Sequence, residues 1–223
     1  MLSNYEKAIA ELNKDVTTLG IKIEAAIEKS WKALENLDVE LADTVYKGDD
    51  AIDSLVKECM RKELNISMLQ SPAASDWRSL MATLKILSDL ERIADHCADI
   101  CHYVMHLEKT HHNVPIPDGL KEMYGVMSSM VSDVLDFYQG EDSTQAELMK
   151  DKDDIVDMSF NHLMEVISQE ITAHPENSRD YIAFVLVVKY IERMADHANN
   201  IAEWIIYREK NEINIEPLFI YPM

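Results

Sequence analysis

The stretch LERIADH at residues 90–96 returns as IERMADH at 191–197, 101 positions further on. A second repeat accompanies it: GDDAIDSL at 48–55 returns as KDDIVDMS at 152–159, offset by 104. Two matched segments kept in order at a nearly constant offset mean that the chain is built twice on one plan. Within each half, apolar residues recur at helical spacing; Leu12, Val16, Leu19, Ile23, Ala26, Ile27 and Leu34 form the first such stripe. The spacing predicts helices over 4–36, 39–68, 75–108, 117–140, 143–173 and 178–211. Breaks fall at SPAAS (71–75), HHNVPIPDG (111–119), QGEDS (139–143) and HPENS (174–178). Ser75 and Ser178 are expected N-caps of the third and sixth helices. Only 5 glycines and 6 prolines occur in 223 residues, too few for a loop-rich β protein. The expected fold is therefore all-α: two tandem three-helix bundles, residues 1–110 and 120–223, joined by a linker at 111–119.

Charge narrows the function classes. Asp and Glu outnumber Lys and Arg 41 to 21, a formal net charge of −20. Such a surface repels phosphate backbones and argues against direct nucleic-acid binding; it suits cations or basic partners. The three cysteines (Cys59, Cys97, Cys101) form no even-numbered disulfide framework. No apolar leader follows Met1, and the longest strongly apolar run, YIAFVLVV at 181–188, is too short to span a bilayer. The expectation is a soluble protein of a reducing, intracellular compartment that meets a membrane only through a partner.

The repeated acids carry the chemistry. Residues four apart share a helix face, which groups Asp49 with Asp53, and Glu91 with Asp95 and Asp99. In the second half it groups Asp153 with Asp157, and Glu192 with Asp196 and Asn200. The pairs Asp53/Glu91 and Asp49/Asp95 are both centred on residue 72, a loop proline; Asp157/Glu192 and Asp153/Asp196 are both centred between His174 and Pro175. Antiparallel neighbours joined by a short loop thus bring each D-x-x-x-D level with an E-x-x-x-D. If the faces turn inward, four carboxylates meet across the usual interaxial distance of about 8–10 Å. Like charges that close repel and raise one another's pKa, and a multivalent cation relieves them; oxygen-rich sites suit Mg²⁺, Ca²⁺, Mn²⁺ or iron. His96 and His197 could add a nitrogen ligand and favour iron or zinc, or could sit at a bundle seam, because i+1 points about 100° away on a helix. The competing reading is a surface network in which Arg92 and Arg193 neutralise the acids.

Other features are weaker. Cys97 and Cys101, i and i+4 with His102 beside them, could chelate a soft metal, but Ala198 and Ala202 stand at the matching positions and favour packing. Trp31, Trp77 and Trp204 read as core or interface anchors, and the 13 methionines as adaptable packing. A single E-x-x-H lies in EKTHH (108–112), at a helix end. Neither a glycine-rich phosphate loop nor a Ser-His-Asp order is present.

On GDDAID, KDDIVD, LQSPAASDWRSLMATLKILSDLERIADHCADI and KYIERMADHANNIAEWIIY, the sequence resembles the PhoU family of regulators of bacterial phosphate uptake over most of its length. The resemblance implies two three-helix bundles, multinuclear metal clusters on the E/D-x-x-x-D motifs, and a cytoplasmic, non-enzymatic adaptor. Such an adaptor links the phosphate ABC transporter to a sensor histidine kinase, lies peripheral to the inner membrane through those partners, and restrains phosphate uptake and the starvation response. A homodimer is also expected. The implied metal ligands are Asp49, Asp53, Glu91, Asp95, Asp99, Asp153, Asp157, Glu192, Asp196 and Asn200, holding iron, zinc, manganese or magnesium, with Arg92 and Arg193 at the family's arginine position. Departures are Asp99 where the family usually has Asn, Ala94 and Ala195 for the common Gly, and Trp77 for the usual Leu. Two rivals are a di-iron carboxylate enzyme or iron-storage bundle, and a helical scaffold with solvated acids. The iron reading needs Glu-x-x-His pairs on two bundle helices, which the chain lacks. The tail INIEPLFIYPM is apolar for a terminus and suggests packing onto the bundle or into a dimer.

Overall fold

The computed structural model describes residues 4–69, 74–109, 114–140, 146 and 148–210. Six long helices account for nearly all of them, and no strand occurs among the described residues. They are α1 (Asn4–Asn36), α2 (Val39–Leu69), α3 (Ala74–Lys109), α4 (Leu120–Gly140), α5 (Met149–Ala173) and α6 (Ser178–Lys210), with a 3₁₀ turn at Pro175–Asn177 before α6. The two tandem three-helix bundles expected from the repeat are α1–α3 and α4–α6.

Local chemistry explains the boundaries. Between α1 and α2 the chain turns at Leu37 (φ 50°), and the Leu41 amide donates to Asp38 Oδ1 at 2.9 Å, an N-cap for α2. Pro115, Pro117 and Gly119 delay α4 to residue 120 instead of 117. Gly119 takes a left-handed φ of 93°, and the Leu120 amide bonds the Pro117 carbonyl at 3.1 Å. The fifth helix runs continuously from Met149, not 143; Leu148 lies in a turn ahead of it with no side-chain cap. Ser75 and Ser178 do not act as caps outside their helices. Ser75 falls inside α3, and Ser178 has helical angles (φ −54°, ψ −32°) because the 3₁₀ turn runs straight into α6. The apolar tail and residues 110–112 of EKTHH lie outside the described residues.

Each hairpin's apolar stripe is buried, and Leu12, Val16, Leu19, Ile23, Ile27 and Leu34 are all at most 3 % exposed. Helix α3 packs extensively on α6, joining the two halves back to back, and His96, Tyr103, Tyr190 and His197 meet across that seam. A second seam joins α1 to α4, antiparallel. Lys121 pairs with Glu35 at 2.7 Å, Ser132 Oγ donates to Glu24 at 2.8 Å, and Tyr138 Oη donates to Asn13 at 3.0 Å. At its centre the buried Tyr124 hydroxyl donates to the Ile27 carbonyl at 2.7 Å, lies 2.8 Å from Ser30 Oγ, and stacks its ring on Trp31. Removing that hydroxyl loses a buried hydrogen bond, although Ser30 Oγ still donates to the Ile27 carbonyl at 3.0 Å. Tyr124→Phe should therefore lower stability by ~1–2 kcal/mol, or about 2–8 °C in Tm for a chain of this size, with unchanged helix content by circular dichroism.

Candidate metal centre

Position i of α2 lies level with position 144 − i of α3, so the two acid motifs face across the first hairpin. Oxygens of Asp49, Asp53 and Asp95 lie within 4.8 Å of one another, all three side chains half-buried. Asp49 Oδ1 is buried with no hydrogen-bond partner. Burial first, and then the charges of Asp95 and Asp53, push the Asp49 carboxyl up to about 6. Burial and the same two neighbours, Asp53 and Asp95, also raise Glu91, partly offset by Arg92 and Lys57. Asp99 lies at the mouth of a polar pocket of about 490 Å³ lined also by Tyr46, Asp49, Asp50 and Asp95. Among the described residues, Lys57 bonds Asp53 at 3.1 Å and Arg92 bonds Asp95 at 3.0 Å, and His96 Nδ1 lies 3.2 Å from Asp99. Lys57 and Arg92 are largely exposed, so the pair each makes is a weak surface contact.

The second hairpin repeats the arrangement with looser geometry. Asp153 Oδ1 is again a buried oxygen without a partner, at the position matching Asp49. Asp153 is pushed up to about 6 by burial and then by Asp196 and Asp157. Asp196 also reaches about 6 through burial, Glu192 and Asp157, against the opposing His197 and Arg193. Glu192 is raised by burial and Asp157. Asp157 and Asp196 are exposed here, and no second trio of oxygens as tight as the first occurs among the described residues. Asn200 is half-buried and makes no hydrogen bond to the acids among the described residues. Its neighbour Asn199 does, donating to Asp153 Oδ2 at 3.3 Å. Sequence reading passed over Asn199 because the first half has Ala98 there, so the repeat did not single it out.

The histidines go to the seam. His96 is 7 % exposed; its Nδ1 lies 3.2 Å from Asp99 Oδ2, and its ring packs on Tyr190 and, at 5.8 Å between centroids, on His197. His197 Nδ1 reaches across to Asp89 Oδ1 at 2.9 Å. Asp89 and Tyr190 are matching positions of the two repeats, and each receives the other half's histidine. Neither was visible as a motif because the two residues differ. The cysteines are core: Cys59, Cys97 and Cys101 have no exposed surface, and burial pushes Cys101 up to about 12 and Cys59 up to about 11, far from thiolate chemistry. Trp31 is partly buried, whereas Trp77 is 48 % exposed and belongs to the surface.

These residues fit a hard cation. Two clustered, partly desolvated carboxylate sets each leave a buried oxygen unsatisfied, and an ion bound to such oxygens removes both the repulsion and the missing contact. In the metal-free protein the raised carboxyls oppose folding. A group held near 6 in the fold and 3.8 when unfolded contributes least above pH 6 and recovers as pH falls towards 4. Metal-free Asp49→Asn/Asp153→Asn should accordingly be more stable than the parent at pH 7.5 by ~1–2 kcal/mol, or about 2–8 °C in Tm. The gain should shrink towards zero near pH 4 in thermal melts.

The comparisons agree with this organisation. A family model described as PhoU domain matches residues 16–104 and again 120–205, one copy on each half. Curated relatives include phosphate-specific transport system accessory protein PhoU homologues. That of Aquifex aeolicus is 33 % identical over 208 residues, covering 93 % of both chains; that of Clostridium acetobutylicum is 31 % identical over 211, covering 91 % of this chain and 93 % of the relative. Among solved structures, PhoU from Pseudomonas aeruginosa superimposes with a TM-score of 0.90 at 22 % identity, over 94 % of this chain and all of that one. The phosphate transport system regulatory protein PhoU from Streptococcus pneumoniae gives 0.86 at 25 % identity, over 94 % and 99 %. With the family model spanning both repeats and relatives above 30 % identity along nearly the whole chain, this protein belongs to the PhoU family.

Proposed function

We propose that this chain is a regulatory accessory protein of phosphate transport whose two repeats, 1–110 and 120–223, each bind metal on a carboxylate site. The relatives' names support the transport role. The observation that carries the metal role is the pair of unsatisfied buried oxygens, Asp49 Oδ1 and Asp153 Oδ1, at matching positions of the duplicated motif. In this reading Asp49, Asp53, Glu91, Asp95 and Asp99 hold the first site. Asp153, Asp157, Glu192, Asp196 and Asn200 hold the second. The ions are iron, zinc, manganese or magnesium, and they stabilise a surface that partners recognise.

The partners in this reading are the phosphate ABC transporter and a sensor histidine kinase. The chain works in the cytoplasm as a homodimer, peripheral to the inner membrane through those partners. No helix among the described residues is long and apolar enough to cross a membrane, which is compatible with that placement. The protein acts by binding, without turnover, in keeping with the relatives' names as accessory proteins. The di-iron alternative loses support because the chain lacks paired Glu-x-x-His motifs and His197 turns to Asp89 across the seam.

Protein purified untagged and without chelator should carry metal by mass spectrometry, and Asp95→Asn/Asp196→Asn should lose it. Adding Mn²⁺ at about 100 times Kd to metal-free protein should stabilise it by ~2.7 kcal/mol, raising Tm by about 5–10 °C. The double variant should show no rise. Deleting the gene should derepress phosphate-starvation genes in phosphate-replete cells; unchanged expression would remove the regulatory part and leave the metal sites standing.

A further inference from the structure

The two repeats differ at one position that their acid motifs leave free. Gly48 precedes the first D-D-x-x-D, and Lys152 stands at the matching place in the second. Lys152 reaches from α5 to α4, donating to Ser129 Oγ at 2.8 Å and pairing with Asp133, and so closes the groove between those helices. Gly48 leaves the corresponding α1/α2 groove open. A Cβ built on Gly48 would meet nothing within 4 Å, so no contact inside the chain requires glycine there. Glycine in a helix interior is nonetheless costly. Close approach by another backbone is one use of such a glycine, and at Gly48 no element of this chain makes it.

The groove has the shape and chemistry for a helix. Its walls are Ile21, Ala25 and Ala26 on α1 and Val45, Ala51 and Ile52 on α2, around about 320 Å³. Small residues at near-heptad spacing on two adjacent helices form holes for the side chains of a third. Ile21 is 63 % exposed, an apolar residue that nothing covers among the described residues. Lys22 and Lys29 stand at the α1 rim, and neither forms a salt bridge among the described residues. On a chain of net charge −20, a groove whose rim charges are both positive selects its occupant by sign. Those charges act within a Debye length of about 8 Å and so set the field at the α1 rim, while Asp49 faces α3.

We infer that the α1/α2 groove is a docking site for an amphipathic helix of a partner protein, with small or apolar residues on one face and carboxylates flanking it. A second copy of this chain is a different occupant, which sedimentation distinguishes. The inference does not depend on metal binding: Gly48 faces the groove, while Asp49, about 100° around α2, faces α3.

The test uses the full chain and a stapled helical peptide of about 14 residues, Leu/Ala on one face with flanking Glu, beside a copy with flanking Lys. Fluorescence anisotropy and amide shift mapping read binding. The Glu peptide should bind the parent at least about tenfold tighter than the Lys peptide, and Lys22→Glu/Lys29→Glu should reverse that preference. Shifts should centre on Ala25, Gly48 and Ala51. Gly48→Lys, which copies the second repeat, should abolish binding while its melting temperature stays at or above the parent's; Gly48→Ala, likewise at least as stable, should weaken it by less. The proposal falls if peptide charge makes no difference, if Gly48→Lys binds like the parent, or if shifts appear elsewhere. It also falls if sedimentation shows self-association that Gly48→Lys breaks, which makes the occupant a second copy. Binding only after removal of residues 211–223 assigns the groove to the chain's own tail and equally overturns it.

Discussion

The back-to-back packing of α3 on α6 fixes everything else in this molecule. Each of those helices contributes one side of an acid cluster, and each buries its opposite face in the seam between repeats. Because the helix period ties residue i to i+4 and turns i+1 away by about 100°, burying His96 and His197 in the seam leaves Asp95 and Asp196 facing α2 and α5. The histidines thus orient the acids, and His96 also meets Asp99 at 3.2 Å. Asp89 and Tyr190 complete the device by holding the opposite repeat's histidine.

That geometry sets a conflict that the bundle cannot resolve alone. Carboxylates drawn together between antiparallel helices lose solvation and repel, and Asp49, Asp153 and Asp196 all move up to about 6 as a result. Lys57 and Arg92 offset part of the charge from the exposed side, but neither reaches the buried oxygen of Asp49. A helical protein selected only for stability would replace these acids with neutral residues. Their presence twice, at the same register, is the ground on which a bound cation is proposed. The second cluster is the more open of the two, and Asn199 already occupies one of its oxygens.

Much of this was legible in the sequence. Helix existence and order followed from periodicity, and the level placement of the acids followed from two pairs of midpoints falling on one loop residue. Rotation did not, since spacing places residues along a helix and leaves open which way the shared face turns; the packing of α3 on α6 around His96 and His197 decides that. The seam partners were illegible for a related reason. Asp89, Tyr190 and Asn199 have no like residue in the other repeat, so self-comparison weighted them at nothing. Helix starts at 120 and 149 were missed where proline, left-handed glycine and an isolated turn override an apolar pattern. Gly48 was quoted inside a motif, yet its meaning lay in what its Cβ would fail to touch.

The most direct test of the central claim is a crystal structure of protein purified without chelator, with anomalous data collected at the manganese, iron and zinc edges. The account predicts an anomalous peak in each repeat, within about 2.0–2.5 Å of carboxylate oxygens. One should touch Asp49, Asp53 and Asp95, and the other Asp153 and Asp196, with Asn199 turned away from Asp153. Featureless anomalous maps at both sites, with Lys57–Asp53 and Arg92–Asp95 still paired and the buried oxygens met by water, would contradict it.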